Sequence, residues 1–562
     1  MKKKCLRCGE VFECNHDDIN NCQCASVILT PQQKKLIRQN YNDCLCHSCL
    51  QEIADEKKSI KKILVANRGE IAVRVMRSCR EMEIISVAIF SEADRTSKHV
   101  LYADEAYCVG GAASKDSYLN INKILEVAKA HEVDAIHPGY GFLSENSEFA
   151  RRCESEGIIF IGPHAETMDL MGDKISARKQ MIAANVPVVP GTEKGLQSVE
   201  EAQTVCQQIG FPVMLKASMG GGGKGIRLIR SLEEVEEAYL NAKSESLSSF
   251  GDDTVYLEKF VEEPHHIEFQ VLGDEYGNVI HLCERECSVQ RRNQKIVEES
   301  PSPFMTPKLR EEMGKAAVKA AKAVNYRGAG TIEFLVDKNR HFYFLEMNTR
   351  LQVEHPITEE VVGVDLVKEQ INVANGLPLH LKQEDIRQRG HAIECRICAE
   401  DTEFNFMPSP GVIRQIIVPN GIGVRIDDYI YEGYEIPMHY DPMVGKLIVW
   451  AVTRKYAIER MRRVLHEYKI TGIKNNISYL RCIMDTPDFV EGKYDTGFIG
   501  KNGDRLQEGI TSSNTDTEDI ALIASYIDYL MNLEENRSNN IADNRPINRW
   551  REFGLHKGVL RI

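Results

Sequence analysis

Short apolar runs separated by polar turns mark a succession of strands. Ile63-Leu64-Val65-Ala66 leads into a turn at Asn67-Arg68-Gly69 and a helix from Glu70, and a second apolar strand runs from Ile84 to Phe90. This alternation predicts an open α/β domain over residues 60–172, after a charged connector at 51–62. Further strands are expected at Tyr256–Val261, His266–Val271 and Gly330–Val336. The last of these is joined through the polar turn Asp337–Arg340 to a strand that begins near His341. The all-apolar Phe342–Leu345 suits a strand buried on both faces. Another domain is expected over 390–503. Beyond it, Thr511–Asp519 reads as a polar linker, and Ile520, Ile523, Ile527 and Leu530 recur at helical spacing ahead of a basic end.

One stretch changes the picture from architecture to chemistry. From Glu346 through Asn348, Arg350, Gln352 and Glu354, polar side chains recur at every second position, which in an extended chain puts them on one face. Glu346 and Asn348 offer hard oxygen ligands for Mg²⁺, Arg350 a fork for an oxyanion and Glu354 a base. If Val336 pairs with His341, Glu333 sits opposite Phe344 and diagonal to Glu346, near enough for a cation to bridge the two carboxylates. Upstream, Lys216 and Gly220, Gly221, Gly222, Gly223 and Gly225 lie between two strands. A strand at Ile226–Ile229, where a dinucleotide fold would need a helix, argues against a dinucleotide site and suits a phosphate-covering hairpin lid. Taken alone, the glycines fit a flexible surface hairpin equally well.

The run Glu346–Glu359, with His137–Asn146 and Arg291–Lys295, resembles the biotin carboxylase subunit or domain of biotin-dependent carboxylases, members of the ATP-grasp superfamily. The resemblance spans roughly residues 60–500. It implies a Rossmann-like domain over 60–172, an ATP-grasp domain over 173–375 with a lid near 188–260, and a carboxylase C-terminal domain over 390–503, in a mixed α/β and α+β chain. The implied reaction is carboxylation of biotin by ATP and bicarbonate through carboxyphosphate. ATP contacts are implied for Lys174, Lys216, the glycine lid, Glu258, Lys259, Phe260, Val261, His266, Asn293, Glu333 and Glu346. The same likeness assigns Mg²⁺ or Mn²⁺ to Glu333, Glu346 and Asn348. Bicarbonate falls to Lys295, Arg350, Gln352 and the Val353 backbone, its proton to Glu354, and biotin to Arg396 and Tyr140. Asn293 stands where many relatives carry histidine.

Composition narrows the alternatives. A net charge of −13 argues against a general nucleic-acid binder. No apolar run reaches the length of a membrane span, and the first residues lack the apolar core of a signal peptide, so a cytoplasmic protein is expected. No Met-Lys-Met biotin-attachment sequence occurs. Biotin is therefore expected on a separate carrier protein, with an acyl-CoA acceptor (acetyl-CoA or propionyl-CoA) served by a carboxyltransferase subunit, and the family likeness implies a homodimer. Cys5, Cys8, Cys14, Cys22, Cys24, Cys44, Cys46 and Cys49 crowd the first 52 residues, a head resembling the small cysteine-rich CWC family. In a reducing compartment such clusters suit structural zinc rather than disulfides, with His16 and His47 as spare ligands. Two other classes share part of this pattern: an ATP-grasp ligase that ignores biotin, and a non-enzymatic scaffold organised by the head.

Overall fold

The computed structural model describes residues 2–15, 22–27, 37–38, 40–55, 59–218 and 225–539. The chain forms two compact units, Met1–Gly503 and Asp504–Ile562. In the first unit a five-stranded parallel sheet runs in the order Glu105–Gly110, Ile85–Ser91, Lys62–Val65, Ala135–His137, Ile159–Phe160. Its strands alternate between two cores. Ile63, Val65 and Ala88 pack in one, and Leu64, Val87 and Ile89 in the other, as a sheet covered on both faces requires. The strand order reverses between Lys62–Val65 and Ala135–His137, where such folds open a crevice. Here that crevice is filled from within, because the Asn67 amide donates to the carbonyls of Pro138 and Tyr140 at 2.7 Å each. A side chain at Gly139, with φ +65°, would meet that amide at 2.9 Å.

The largest sheet has eight antiparallel strands in the order Phe342–Asn348, Gly328–Val336, His265–Gly273, Val279–Arg291, Gln294–Ser300, His391–Cys398, Met443–Ala451, Val424–Asp428. Strands after residue 390 thus extend the sheet begun at residue 265. Its apolar face is set by alternation: Ile267, Phe269, Val271, Ile332 and Phe334 share a core with Met313, Ala316, Ala317, Ala320 and Ala321 of the helix Pro307–Ala323. Thr306 caps that helix, accepting from the Leu309 N–H, and Pro307 occupies its first turn. The residues between the apolar ones, His266, Glu268, Gln270, Thr331 and Glu333, are polar and also buried. They need partners, and they find them in each other. A separate three-stranded sheet, Val255–Lys259, Val213–Ala217 and Arg227–Ile229, carries the glycine hairpin, whose Gly220, Gly221, Gly222 and Gly223 lie outside the described residues.

Four expectations are corrected. Phe342–Asn348 is an edge strand with half-buried positions rather than one buried on both faces. Its free edge is partly covered by Pro187, whose carbonyl accepts from the Phe344 N–H at 2.7 Å. Val336 pairs with Phe342, not His341, and a bulge at Leu345 brings Glu346 directly opposite Glu333. The strand also stops at Asn348. Residues 349–354 form a loop, and Glu354 sits at the cap position of the helix His355–Val362. In the second unit Thr511–Asp519 is not a linker, because one helix runs from Gly503 to Asn539. The basic residues beyond it lie outside the described residues. Among the described residues no helix is long and apolar enough to cross a membrane.

Candidate active site

Register builds the centre of the site. Glu346 pairs with Glu333, Glu333 with Glu268, and Glu268 with Arg285, so three carboxylates and a guanidinium stand in one row across four strands. Left alone, three adjacent buried anions would repel strongly. Lys295 resolves most of this. Its ammonium lies 2.5 Å from Glu268, 2.9 Å from Glu333 and 2.6 Å from Glu354. Arg285, wholly buried, donates to Glu268, Gln270, Thr331, Gln352 and Thr358 at 2.6–3.0 Å. His266 lies 2.9 Å from Glu333; burial pushes the imidazole toward neutrality, but Glu333 outweighs this and its pKa is raised.

Glu346 is the exception. It makes no side-chain hydrogen bond among the described residues, and burial followed by the neighbouring Glu333 pushes its carboxyl up. It faces a cavity of about 840 Å³ that Glu333 and Asn348 also line. Two carboxylates facing one another, one without a partner among the described residues, could hold a hard divalent cation. Asn348 at present donates its amide N–H to Glu333 at 2.9 Å and accepts from Arg350 at 2.9 Å, so its oxygen is already engaged.

The loop 349–354 carries the second half of the site. Arg350 donates to Glu145 at 2.8 Å, and Glu145 also accepts from the Thr349 N–H at 3.0 Å. Gln352 spends both amide ends inside the protein, donating to Glu333 at 2.7 Å and accepting from Arg285. The Val353 carbonyl accepts from the buried Lys446 at 2.9 Å, which fixes the loop from beneath. Glu354 is held by Lys295 and, at 3.0 Å, by Arg396. Burial alone would raise its carboxyl, yet Lys295, Arg396 and Arg285 prevail and hold it well below the usual carboxylate range. Arg396 donates also to Glu298 at 2.7 Å; burial, against the pull of that arginine, pushes the Glu298 carboxyl up to about 7.

Other expected residues fall around the cavity or beside it. Lys174 starts the helix Lys174–Ala183, capped by Asp173, and lines the cavity with Lys216 and His266. Lys216 is paired with Glu258 at 2.5 Å, and Arg178 reaches the same carboxylate at 3.3 Å. Arg292 and Asn293 form a two-residue hairpin tip with positive φ at both, a conformation asparagine tolerates, at the exposed rim. Glu258, Lys259, Phe260 and Val261 do not line the cavity. The Lys259 and Phe260 N–H groups are spent on Pro190 and Pro212, while that of Val261 has no partner among the described residues. Tyr140 also stands apart from the lining, its hydroxyl on Glu70.

Sequence reasoning missed Glu145, Arg285, Glu298 and Lys446 as parts of this network. Glu284, Arg285 and Glu286 in succession within a strand-like run were the available signal, since charges on both faces of a central strand demand buried partners.

In the head, Cys5, Cys8, Cys46 and Cys49 bring their sulfurs within 4.8 Å of one another, an arrangement compatible with zinc.

Sequence profiles described as Biotin carboxylase, N-terminal domain, as Carbamoyl-phosphate synthase L chain, ATP binding domain, and as Biotin carboxylase C-terminal domain match residues 59–168, 173–382 and 394–501. A profile described as Cysteine-rich CWC matches residues 5–51. Biotin carboxylase 1 of Bacillus subtilis (strain 168) is 54% identical over 441 residues, which is 78% of this chain and 98% of that protein. A pyruvate carboxylase subunit from Methanothermobacter thermautotrophicus is 55% identical, over 80% of this chain and 90% of its own. The biotin carboxylase domain dimer of Hydrogenobacter thermophilus 2-oxoglutarate carboxylase, solved with MgADP, ADP and bicarbonate, superposes with a TM-score of 0.77 at 51% identity, covering 80% of this chain and 99% of that one. With identity above one half across essentially the whole of such proteins, the chain belongs to the biotin carboxylase family of ATP-dependent ligases.

Proposed function

We propose that the chain carboxylates biotin with ATP and bicarbonate, through carboxyphosphate, using the residues joined by Lys295. The observation that carries this reading is one ammonium shared by Glu268, Glu333 and Glu354, with Glu346 open on one side of the network and Arg396 on the other. Glu333 and Glu346, with Asn348 turning its amide, would hold Mg²⁺, which supplies charge neutralisation at the phosphates. Lys174, Lys216 and the glycine lid align ATP, and the Glu258–Val261 segment receives its base. The unpartnered Val261 N–H supports that last assignment.

Bicarbonate is placed between Lys295, Arg350 and the Val353 backbone. Gln352 is assigned a supporting part, since both ends of its amide are already bonded. Glu354 takes the bicarbonate proton. So strongly held a carboxylate is a weak base, so the transfer relies on the cations that depress Glu354 also stabilising the anion left behind. Attack of that oxygen on the γ-phosphorus forms carboxyphosphate and ADP. Carboxyphosphate then gives CO₂ and phosphate, the phosphate accepts the ureido N–H proton, and Arg396 stabilises the resulting enolate oxygen while its nitrogen attacks CO₂. Tyr140 is reassigned to support, because it packs near Lys446 and touches Glu70.

Biotin is proposed to arrive on a carrier protein outside these 562 residues, with a carboxyltransferase as a further partner and a homodimer as the working assembly; the dimer of the Hydrogenobacter relative supports the last point. Relatives are named for pyruvate and 2-oxoglutarate carboxylases as well as for biotin carboxylase alone, which supports an acceptor chosen by the carboxyltransferase rather than by this site. The cytoplasm is the proposed compartment, in keeping with the thiol-rich head. The test is ATP hydrolysis by the purified chain with and without bicarbonate and free biotin. Bicarbonate-dependent turnover yielding carboxybiotin is expected. Turnover indifferent to biotin would favour a different ATP-grasp ligase, and no bicarbonate-dependent turnover a scaffold.

A further inference from the structure

The strand His391–Cys398 carries one buried acid to which the proposed chemistry gives no part. Glu394 is fully buried and, as a carboxylate, meets no N–H or O–H donor at either oxygen among the described residues. Register fixes its surroundings. Glu394 pairs directly with Glu298 on the strand Gln294–Ser300, and it shares a face with Arg396, two residues on, and with Lys446, which pairs with Arg396. Away from those charges lie Ala392 and Ile448, packed with Ile357 and Val361 of the helix His355–Val362. The charged neighbours are already engaged. Lys446 donates to the Val353 carbonyl at 2.9 Å and lies 3.2 Å from Glu70. At the start of the helix, Glu354 is held by Lys295 and Arg396, and the His355 imidazole by the Gln352 carbonyl at 2.8 Å.

Glu298 has the matching deficiency. Its Oε1 accepts from Arg396 at 2.7 Å, whereas its buried Oε2 meets no donor among the described residues. Two facing carboxylates with three such oxygens are an uncompensated buried charge, and a carboxyl so placed neutralises itself by keeping a proton. A proton on Glu394 supplies the missing donor: its O–H serves the Glu298 Oε2, directly or through one water. The pair then sets one negative charge against the positive charge of Arg396. Burial pushes the Glu394 carboxyl well above its ordinary range, with Lys446 opposing and Glu298 reinforcing it. The arrangement matters for Arg396 because its Nε and Nη2 both turn onto the Glu298 Oε1, at 2.7 and 2.6 Å. Its Nη1 makes no hydrogen bond among the described residues, and the side chain lines the cavity.

We propose that Glu394 is a positioning residue that carries a proton and donates it in a hydrogen bond to Glu298, which stays ionised and holds Arg396 with its Nη1 edge toward biotin. This rests on the assignment of Arg396 to biotin and adds the residue behind the arginine's anchor.

Glu394→Gln keeps an N–H donor at this place, whereas Glu394→Met, of similar length, keeps none. Assayed with free biotin, Glu394→Gln should carboxylate much as the unsubstituted protein does. Glu394→Met should lower kcat/KM for biotin by roughly 10²-fold, the cost of a misdirected reacting group, while bicarbonate-dependent ATP hydrolysis falls far less. Equal losses in the two variants would show that a charge rather than a donor is needed and would overturn the proposal, as would full carboxylation by Glu394→Met. If Glu394→Met does not fold, the infrared difference spectrum between the unsubstituted protein and Glu394→Gln at neutral pH decides. A carbonyl band of a protonated carboxyl, present only in the unsubstituted protein, supports the proposal, and carboxylate bands in its place refute it. That spectrum needs no turnover, so it also separates a failure here from a failure of the enzymatic reading.

Discussion

Arg396 joins the two halves of the proposed reaction, so its removal is a sharp test at the scale of a residue. It touches Glu354 and Glu298 and nothing assigned to ATP. Arg396→Ala should lower carboxylation of free biotin by about 10²-fold or more, as loss of one preorganised oxyanion donor does. Bicarbonate-dependent ATP hydrolysis should fall far less, because Lys295 still holds Glu354. The fold should survive, since Glu298, already raised by burial to about 7, takes up a proton when its arginine goes. Equal loss of both activities in folded protein would remove Arg396 from the biotin step. Glu70 offers a test by pH. Burial, helped by Asp427 and opposed by Lys446, raises its carboxyl from 4.5 to about 7. The folded state therefore holds this proton more tightly than the unfolded state; the associated stability is full below pH 4.5 and is lost as pH rises through 7. The stability difference between wild type and Glu70→Gln should shrink by at most about 3 kcal/mol across that interval, read by chemical denaturation at either end. A difference that does not change with pH would show that Glu70 ionises normally. Residues such as Glu346, Arg350 and Glu354 were legible because they alternate within one short run. Glu145 and Lys446 were not, because their partners lie 205 and 93 positions away and only the fold brings them together.

At the scale of elements, the sequence indicated the strands but not how two of them pair. Alternation predicted that Glu333 and Glu346 share a face, yet the register depends on a bulge at Leu345. Next to that bulge the edge strand binds Pro187, a residue about 160 positions earlier, through the Phe344 N–H. No local pattern carries that information. The helix Gly503–Asn539 was misread for a different reason, since polar composition over Thr511–Asp519 resembles a linker although nothing in it breaks a helix. The joint between the lid sheet and the residues before it can be tested at Gly191. Pro190 and Thr192 exchange backbone hydrogen bonds with Lys259 and Leu257 at 2.7 and 2.8 Å, and a Cβ on Gly191 would meet the Leu257 carbonyl oxygen at 2.3 Å. Gly191→Ala must therefore move the strand that presents Glu258 to Lys216. A loss of about 1–3 kcal/mol in stability is expected, as for other overpacked sites, together with a raised KM for ATP and a smaller change in kcat. An unchanged KM for ATP would separate this joint from nucleotide binding.

At the scale of the whole molecule, the chemistry and the head are separable by length alone. The Bacillus relative aligns over 98% of itself with only 78% of this chain, so a protein without a counterpart to the head carries the complete family body. Within the first unit, the row from Glu346 to Arg285, the Lys295 bridge and Arg396 all come from residues 265–400. None of their bonds involves a cysteine of the head. Deleting residues 1–52 should thus leave carboxylation of free biotin by Mg-ATP at the full-length level, and should remove all zinc from the preparation. A truncated protein that stays folded by circular dichroism but loses turnover would give the head a gating part that the body's own network does not reveal. Retained activity combined with weaker stimulation by a biotinylated carrier protein would instead place the head at the docking of the carrier, and the comparison of free with carrier-borne biotin separates these outcomes in one set of assays.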